Sequence, residues 1–333
     1  MIKMVYGDTT RKKALKESYL KIFKVVPKMQ QRWVALRKRL VKKDYRFDSI
    51  LPKKVTDLLV MDFEHLADIY EVFTALNLNK NDVLHVDAQA LFSYEAHKDS
   101  KGKRWEKLQP LIASFFMDNA NGFEIHTCHY CDMAYVNPFT VKTGRKAQFD
   151  LDHVLDKGRC PIVGLSLFNF VPSCQMCNGS RIKGKKVLYR DARLRKKLSP
   201  TNDSYDFEGN VKIMVVNKNG NCSTMGFEKR LDDFELIFDC HKDPDYYEEV
   251  KAFHLTERYN YHKCEALRLL DLKERYTDSR IVEIARMILQ SPNAKSTIHG
   301  MKYITQLKHD IFAVEFGRKY HRSFGKLRED IVG

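Results

Sequence analysis

Two pairs of cysteines constrain this chain more than any other feature of its sequence. Cys128 and Cys131 form one CxxC pair, and Cys174 and Cys177 form a second further along the chain. Two residues between paired thiols let both sulfurs face one point, so the pairs together can hold one tetrahedral ion. Thiolates favour zinc (Zn²⁺), although an iron–sulfur cluster can use the same ligands. We predict a structural zinc site, since four thiolates leave no open position for a substrate.

The composition is that of a folded, strongly basic protein. The 333 residues are 44% hydrophobic and carry a formal net charge of +15. This charge favours a polyanionic partner such as nucleic acid, although basic proteins also bind acidic membranes or simply stay soluble. No apolar run is long enough to span a bilayer, and the N-terminus lacks the apolar stretch of a signal peptide. We therefore expect a cytoplasmic protein that does not contact a membrane.

The hydrophobic pattern predicts helices in the N-terminal part of the chain. Residues 11–43 are rich in Lys and Arg and read as a basic amphipathic helix that is interrupted near Pro27. Apolar residues recur at helical spacing from Asp57 to Leu76, which predicts a second helix. Another helix is predicted from Trp105 onward, with a kink near Pro110.

The pattern changes after residue 122, and again after residue 190. Alternating apolar residues at 211–215 before Asn219-Gly220 predict a β-hairpin, and the chain beyond it reads as helices. We therefore predict an α+β fold with three regions. These are a helical N-terminal region (1–122), a metal-binding module (123–190) and a β insertion with a helical C-terminal region (191–333).

Polar residues between and beside the cysteine pairs carry a family resemblance. Asp152 and His153 end an alternating stretch, Asn169 precedes a Pro-x-Cys sequence, and Asn178 directly follows Cys177. This order resembles the HNH endonucleases, or His-Me finger nucleases, in their HNN variant with four zinc-binding cysteines. Beyond residues 123–190, short phrases near the C-terminus resemble stand-alone bacterial HNH proteins. Some of those proteins accompany an ATPase in phage defence.

The resemblance implies a central ββα-metal module and a role for each of these residues. His153 would be the general base that activates water, since a histidine is partly neutral at working pH. Asp152 and Asn178 would bind a catalytic Mg²⁺ or Mn²⁺ ion, and the amide of Asn169 would brace the loop that follows the base. In a regular strand, however, Asp152 and His153 would face opposite sides. The chain must leave regular strand geometry there if both residues serve one site.

A basic run follows the last of these residues. It consists of Arg181, Lys183, Lys185 and Lys186. These side chains are predicted to hold phosphate groups near the site, with an ordinary solvated face as the alternative.

Three functional hypotheses follow. The first is a DNA endonuclease, with RNA as an alternative substrate and a homodimer as a plausible assembly. The second is a zinc-stabilised nucleic-acid-binding module without catalysis. The third is an effector that cuts only with a partner ATPase, because this sequence has no nucleotide-binding loop of the Walker type.

Overall fold

The computed structural model describes residues 1–24, 26–94, 107–184, 186–218, 231–313 and 322–332. The chain divides into two compact units. The first comprises Met1–Tyr130 and Val136–Asp206, and the second comprises Cys131–Tyr135 and Phe207–Gly333. The boundaries predicted after residues 122 and 190 both lie inside the first unit.

Helices form the N-terminal part of the first unit. They are α1 (Thr9–Leu20), α2 (Val26–Lys43), α3 (Arg46–Ile50), α4 (Val55–Leu59), α5 (Phe63–Ala75), α6 (Val83–Leu91) and α7 (Leu108–Met117). The predicted interruption near Pro27 is confirmed, because α1 ends before this proline and α2 begins beside it. Pro110 lies in the first turn of α7, where a helix loses no hydrogen bond to a missing N–H. Trp105 lies outside the described residues.

The core of this unit follows from the spacing of its apolar residues. On α5 the residues at helical spacing are buried, as the sequence predicts: Phe63, Leu66, Tyr70 and Phe73. Two of its large aromatic residues, Tyr19 and Trp33, are buried with their polar atoms paired. The Tyr19 hydroxyl donates to the Leu165 carbonyl at 2.8 Å, and the Trp33 indole N–H donates to the Pro52 carbonyl at 3.0 Å. Such pairing removes the cost of burying a polar group.

Short strands follow the helices in the first unit. They are β1 (Phe139–Val141), β2 (Gly144–Lys146), β3 (Asp150–His153) and β4 (Phe170–Ser173). β1 pairs with β2 and β3 pairs with β4, both antiparallel, and in the second pair Asp152 lies opposite Val171. Next come α8 (Gln175–Asn178) and α9 (Ala192–Lys197). α8 is a single turn, because Gly179 leaves the helical conformation directly after it.

The second unit combines one antiparallel strand pair with helices. Its elements are α10 (Phe207–Asn210), β5 (Lys212–Asn217), β6 (Phe234–Asp239), α11 (Tyr246–Ala252), α12 (Leu255–Tyr261), α13 (Lys263–Arg275), α14 (Asp278–Leu289), α15 (Ile298–Phe312) and α16 (Gly325–Val332). The Asp330 carboxylate on α16 accepts from the backbone N–H of Ile213 at 2.7 Å. The predicted turn at Asn219-Gly220 lies outside the described residues. The predicted combination of helices with small sheets is confirmed.

Within the described ranges, no helix has the length and apolar character needed to cross a membrane.

Candidate metal and catalytic site

The four paired cysteines lie together, as their spacing predicts. Cys128, Cys131, Cys174 and Cys177 are all buried, and their sulfur atoms lie within 4.8 Å of one another. In a tetrahedral zinc site with Zn–S bonds of about 2.3 Å, the sulfurs stand about 3.8 Å apart. Backbone N–H groups also donate to the sulfurs, with Cys174 N 3.2 Å from Cys128 Sγ and Cys177 N 3.4 Å from Cys174 Sγ. The cluster has the donors and the dimensions to hold one zinc ion.

Three of the four other residues of the HNH resemblance line one cavity in the first unit, whereas Asn169 is buried outside its wall. Asp152, His153 and Asn178 all contribute to its wall, together with Asp150 and Tyr94. The cavity has a volume of about 1130 Å³. His153 is the last residue of β3, where it lies opposite Phe170. Asp152 and His153 line the same cavity although they are neighbours in a strand, as do the preceding residues Asp150 and Leu151.

The His153 ring is held by one of its nitrogen atoms. Nε2 lies 2.9 Å from the Gly164 carbonyl oxygen and 2.8 Å from the Tyr94 hydroxyl. Because a carbonyl only accepts, Nε2 carries the proton in the neutral ring and Nδ1 carries a lone pair. In the described part of the chain, Nδ1 makes no hydrogen bond. Burial lowers the pKa of His153 well below its usual value, and the nearby charge of Lys157 lowers it further. The imidazole is therefore neutral at neutral pH.

Asn169 braces the loop between β3 and β4. Its side chain is fully buried, and its Oδ1 accepts from the Leu155 N–H at 2.7 Å. Its Nδ2 donates to the carbonyls of Leu155, at 3.1 Å, and Val163, at 3.0 Å. These bonds join both arms of the loop that carries Gly164, the hydrogen-bond partner of His153. The Asn169 amide therefore ties the two arms of this loop together.

The Asp152 carboxylate is paired on both of its oxygen atoms. Lys183 Nζ lies 2.6 Å from Oδ1, and the Tyr130 hydroxyl donates to Oδ2 at 2.6 Å. Burial raises the pKa of Asp152, while the Lys183 charge and both hydrogen bonds act to lower it. Tyr130 lies inside the first CxxC pair, and no sequence pattern singled it out.

Lys183 does not occupy the surface position that the basic run predicts. Its side chain is only 5% exposed and its ammonium also donates to the His153 carbonyl at 2.5 Å. The structure therefore fits neither the phosphate contact predicted for Lys183 nor the alternative of a solvated face, because its ammonium is buried and bound to Asp152 and the His153 carbonyl. Arg181 and Lys186 are exposed, as predicted, and Lys185 lies outside the described residues.

Asn178 lies at the end of α8, next to the cysteine cluster. Its Nδ2 donates to Asp150 Oδ2 at 3.2 Å, so its amide oxygen is not used in this bond. The carboxylates of Asp150 and Asp152 and the amide oxygen of Asn178 are hard donors, of the kind that Mg²⁺ and Mn²⁺ prefer. Asp150 is not among the ligands that the family resemblance implies.

Basic residues from distant parts of the chain also line the cavity. They are Lys80, Arg145, Lys146, Lys157, Arg159 and Lys183. Lys157 Nζ lies 3.9 Å from the centroid of the Tyr94 ring, which is a cation–π contact. Arg145 is bound to the Asn119 side chain at 2.8 Å. Apart from Lys183, this group was not predicted from the sequence, because its members do not form one run in the chain.

Comparison of the chain with protein families, curated proteins and solved structures finds no match. A functional assignment therefore depends on the chemistry of these residues and on the motif they form.

Proposed function

We propose that this chain is a metal-dependent endonuclease of the HNH type that hydrolyses phosphodiester bonds in DNA. The observation that carries the proposal is the arrangement around His153. A neutral imidazole, fixed through Nε2, lines the same cavity as Asp152 and Asn178. A fixed base beside hard oxygen donors is the combination that metal-assisted hydrolysis requires.

His153 supplies the general base in this proposal. The lone pair on Nδ1 takes a proton from the attacking water, and the Gly164 carbonyl keeps the ring in the tautomer that has this lone pair. The same carbonyl stabilises the imidazolium that forms. Asn169 acts indirectly, since its amide fixes the loop that presents Gly164.

Asp152 and Asn178 would hold a Mg²⁺ or Mn²⁺ ion, with Asp150 as a third oxygen donor. When bound, the ion would stabilise negative charge on a phosphate oxygen and on the leaving 3′ oxygen. Zinc at the cysteine cluster would be structural, because all four ligand positions are filled by thiolates. It would also fix Asn178, which directly follows the ligand Cys177.

Exposed basic residues would bind the nucleic acid backbone. Arg181 and Lys186 are exposed beyond α8, and Lys80, Lys146 and Arg159 are exposed residues that line the cavity. Phosphate contacts of this type give affinity without sequence preference. A role in phage defence, with a partner ATPase, follows only from the resemblance of the C-terminal phrases.

One observation favours the alternative of a binding module without catalysis. Both oxygens of Asp152 are already paired, with Lys183 and Tyr130. If this pairing persists in solution at millimolar Mg²⁺, the cavity would bind nucleic acid but not cut it.

A cleavage assay separates these functions. Purified full-length protein is incubated with supercoiled plasmid and with single-stranded RNA, in Mg²⁺, Mn²⁺ or EDTA. The endonuclease proposal predicts nicked or linear plasmid with either metal and none in EDTA. Retarded but intact plasmid under every metal condition would support the binding module instead.

A further inference from the structure

We propose that Lys183 is a built-in counter-cation that competes with the divalent metal for Asp152. Metal binding at the nuclease site would then require the Lys183 ammonium to leave the carboxylate. The inference rests on the proposed function, since it concerns control of the same site.

The geometry places a positive charge where a metal ligand is needed. Lys183 Nζ lies 2.6 Å from Asp152 Oδ1 and 2.5 Å from the His153 carbonyl oxygen, so it is held by two oxygens as a hard cation would be. The second carboxylate oxygen accepts from Tyr130 at 2.6 Å. A metal bound to Oδ1 would stand within a few ångströms of the ammonium, and two like charges at that separation repel strongly in a buried site.

The surrounding backbone allows the ammonium to leave without unfolding the turn. The Lys183 N–H donates to the Cys177 carbonyl at 3.2 Å, and the Lys186 N–H donates to the Lys183 carbonyl at 2.9 Å. The main chain is thus tied to the cysteine cluster, whereas the ammonium stands on a flexible four-carbon stem. Lys183 also lines the cavity, which gives the side chain a path away from Asp152.

A purely supporting role makes the opposite prediction. If Lys183 only neutralises Asp152 and keeps it in place, removing its charge should weaken or leave unchanged the binding of metal. Competition predicts tighter binding, so the sign of the change decides between the two roles.

The test is a Mn²⁺ titration of the zinc-loaded full-length protein without nucleic acid, with free Mn²⁺ measured by electron paramagnetic resonance. Lys183→Met keeps the length of the side chain and removes its charge. We expect it to bind Mn²⁺ roughly tenfold more tightly than the wild type, or better. Lys142→Met removes an exposed lysine charge and serves as the matched control, with wild-type affinity expected.

A second variant covers the case in which Lys183→Met does not fold. Lys183→Gln is also uncharged but retains an N–H donor for the Asp152 carboxylate, and it should likewise bind Mn²⁺ more tightly than the wild type. Unchanged or weaker Mn²⁺ binding in a folded, zinc-loaded Lys183 variant would overturn the proposal.

Asp152→Asn separates this failure from failure of the proposed function. If Asp152→Asn weakens Mn²⁺ binding while the Lys183 variants bind like the wild type, the metal site stands and only the competition is wrong. If neither the wild type nor any Lys183 variant binds Mn²⁺, both proposals fail together.

Discussion

Replacing Asn169 with alanine should destabilise the first unit more than the same replacement at an ordinary buried asparagine. The substitution leaves the N–H and the carbonyl of Leu155 without their side-chain partner, whereas the Val163 carbonyl keeps a bond from the Ser166 N–H at 3.3 Å. Each buried backbone group left unpaired costs about 1–3 kcal/mol. With about 1 kcal/mol for the space that the amide vacates, we expect a total loss of about 3–7 kcal/mol.

Urea unfolding followed by tryptophan fluorescence measures this loss, because Trp33 is fully buried in the first unit. Asn121→Ala is the matched control. Asn121 is also buried in this unit, but its side chain makes one described bond, to the Phe115 carbonyl at 2.8 Å. We expect it to cost about 1 kcal/mol. Equal losses in the two variants would refute the argument that the Asn169 amide holds the loop.

Three further predictions concern the metals and the nucleic acid. Elemental analysis should find about one zinc per chain, and Cys174→Ser should lose both zinc and solubility; a folded, active, zinc-free protein would contradict this. Charge reversal of Arg181 and Lys186 should weaken DNA binding. The slope of the logarithm of the binding constant against the logarithm of salt concentration should become shallower by about one for each phosphate that the variant no longer neutralises. An unchanged slope would indicate that both residues belong to an ordinary solvated face. Asp152→Ala and Asn178→Ala should cut poorly in Mg²⁺ but recover in part with excess Mn²⁺; equal failure in every metal would argue against their role as ligands.

The cysteine cluster could be predicted from sequence because its geometry is largely local. The two residues between the cysteines of each pair determine how their two thiols converge. Only the approach of one pair to the other depends on the fold. The helix predicted from Asp57 to Leu76 is divided into α4 and α5, because Val60 and Asp62 leave the helical conformation. Within this segment, α5 was likewise predictable from apolar spacing. The strands β1 and β2 were not, since every residue in them is exposed and no buried alternation marks them.

The contacts of the candidate site were less predictable because they depend on where strands and turns end. Strand periodicity alone would separate Asp152 from His153, yet both line one cavity at the end of β3. Lys183 lies in a basic run that sequence cannot distinguish from a surface patch. Its inward position depends on the turn after α8, in which the Lys183 N–H donates to the Cys177 carbonyl at 3.2 Å.

The base proposed for this site can be tested directly with His153→Ala in a plasmid cleavage assay. His241→Ala, at an exposed histidine of the second unit, is prepared in parallel as the control for contaminating nuclease and for loss of a histidine. We predict that His153→Ala retains its zinc, its fold and its DNA binding but does not cut in Mg²⁺ or Mn²⁺, while His241→Ala cuts like the wild type. Cleavage by His153→Ala at a rate near that of the wild type would contradict the assignment of His153 as the general base.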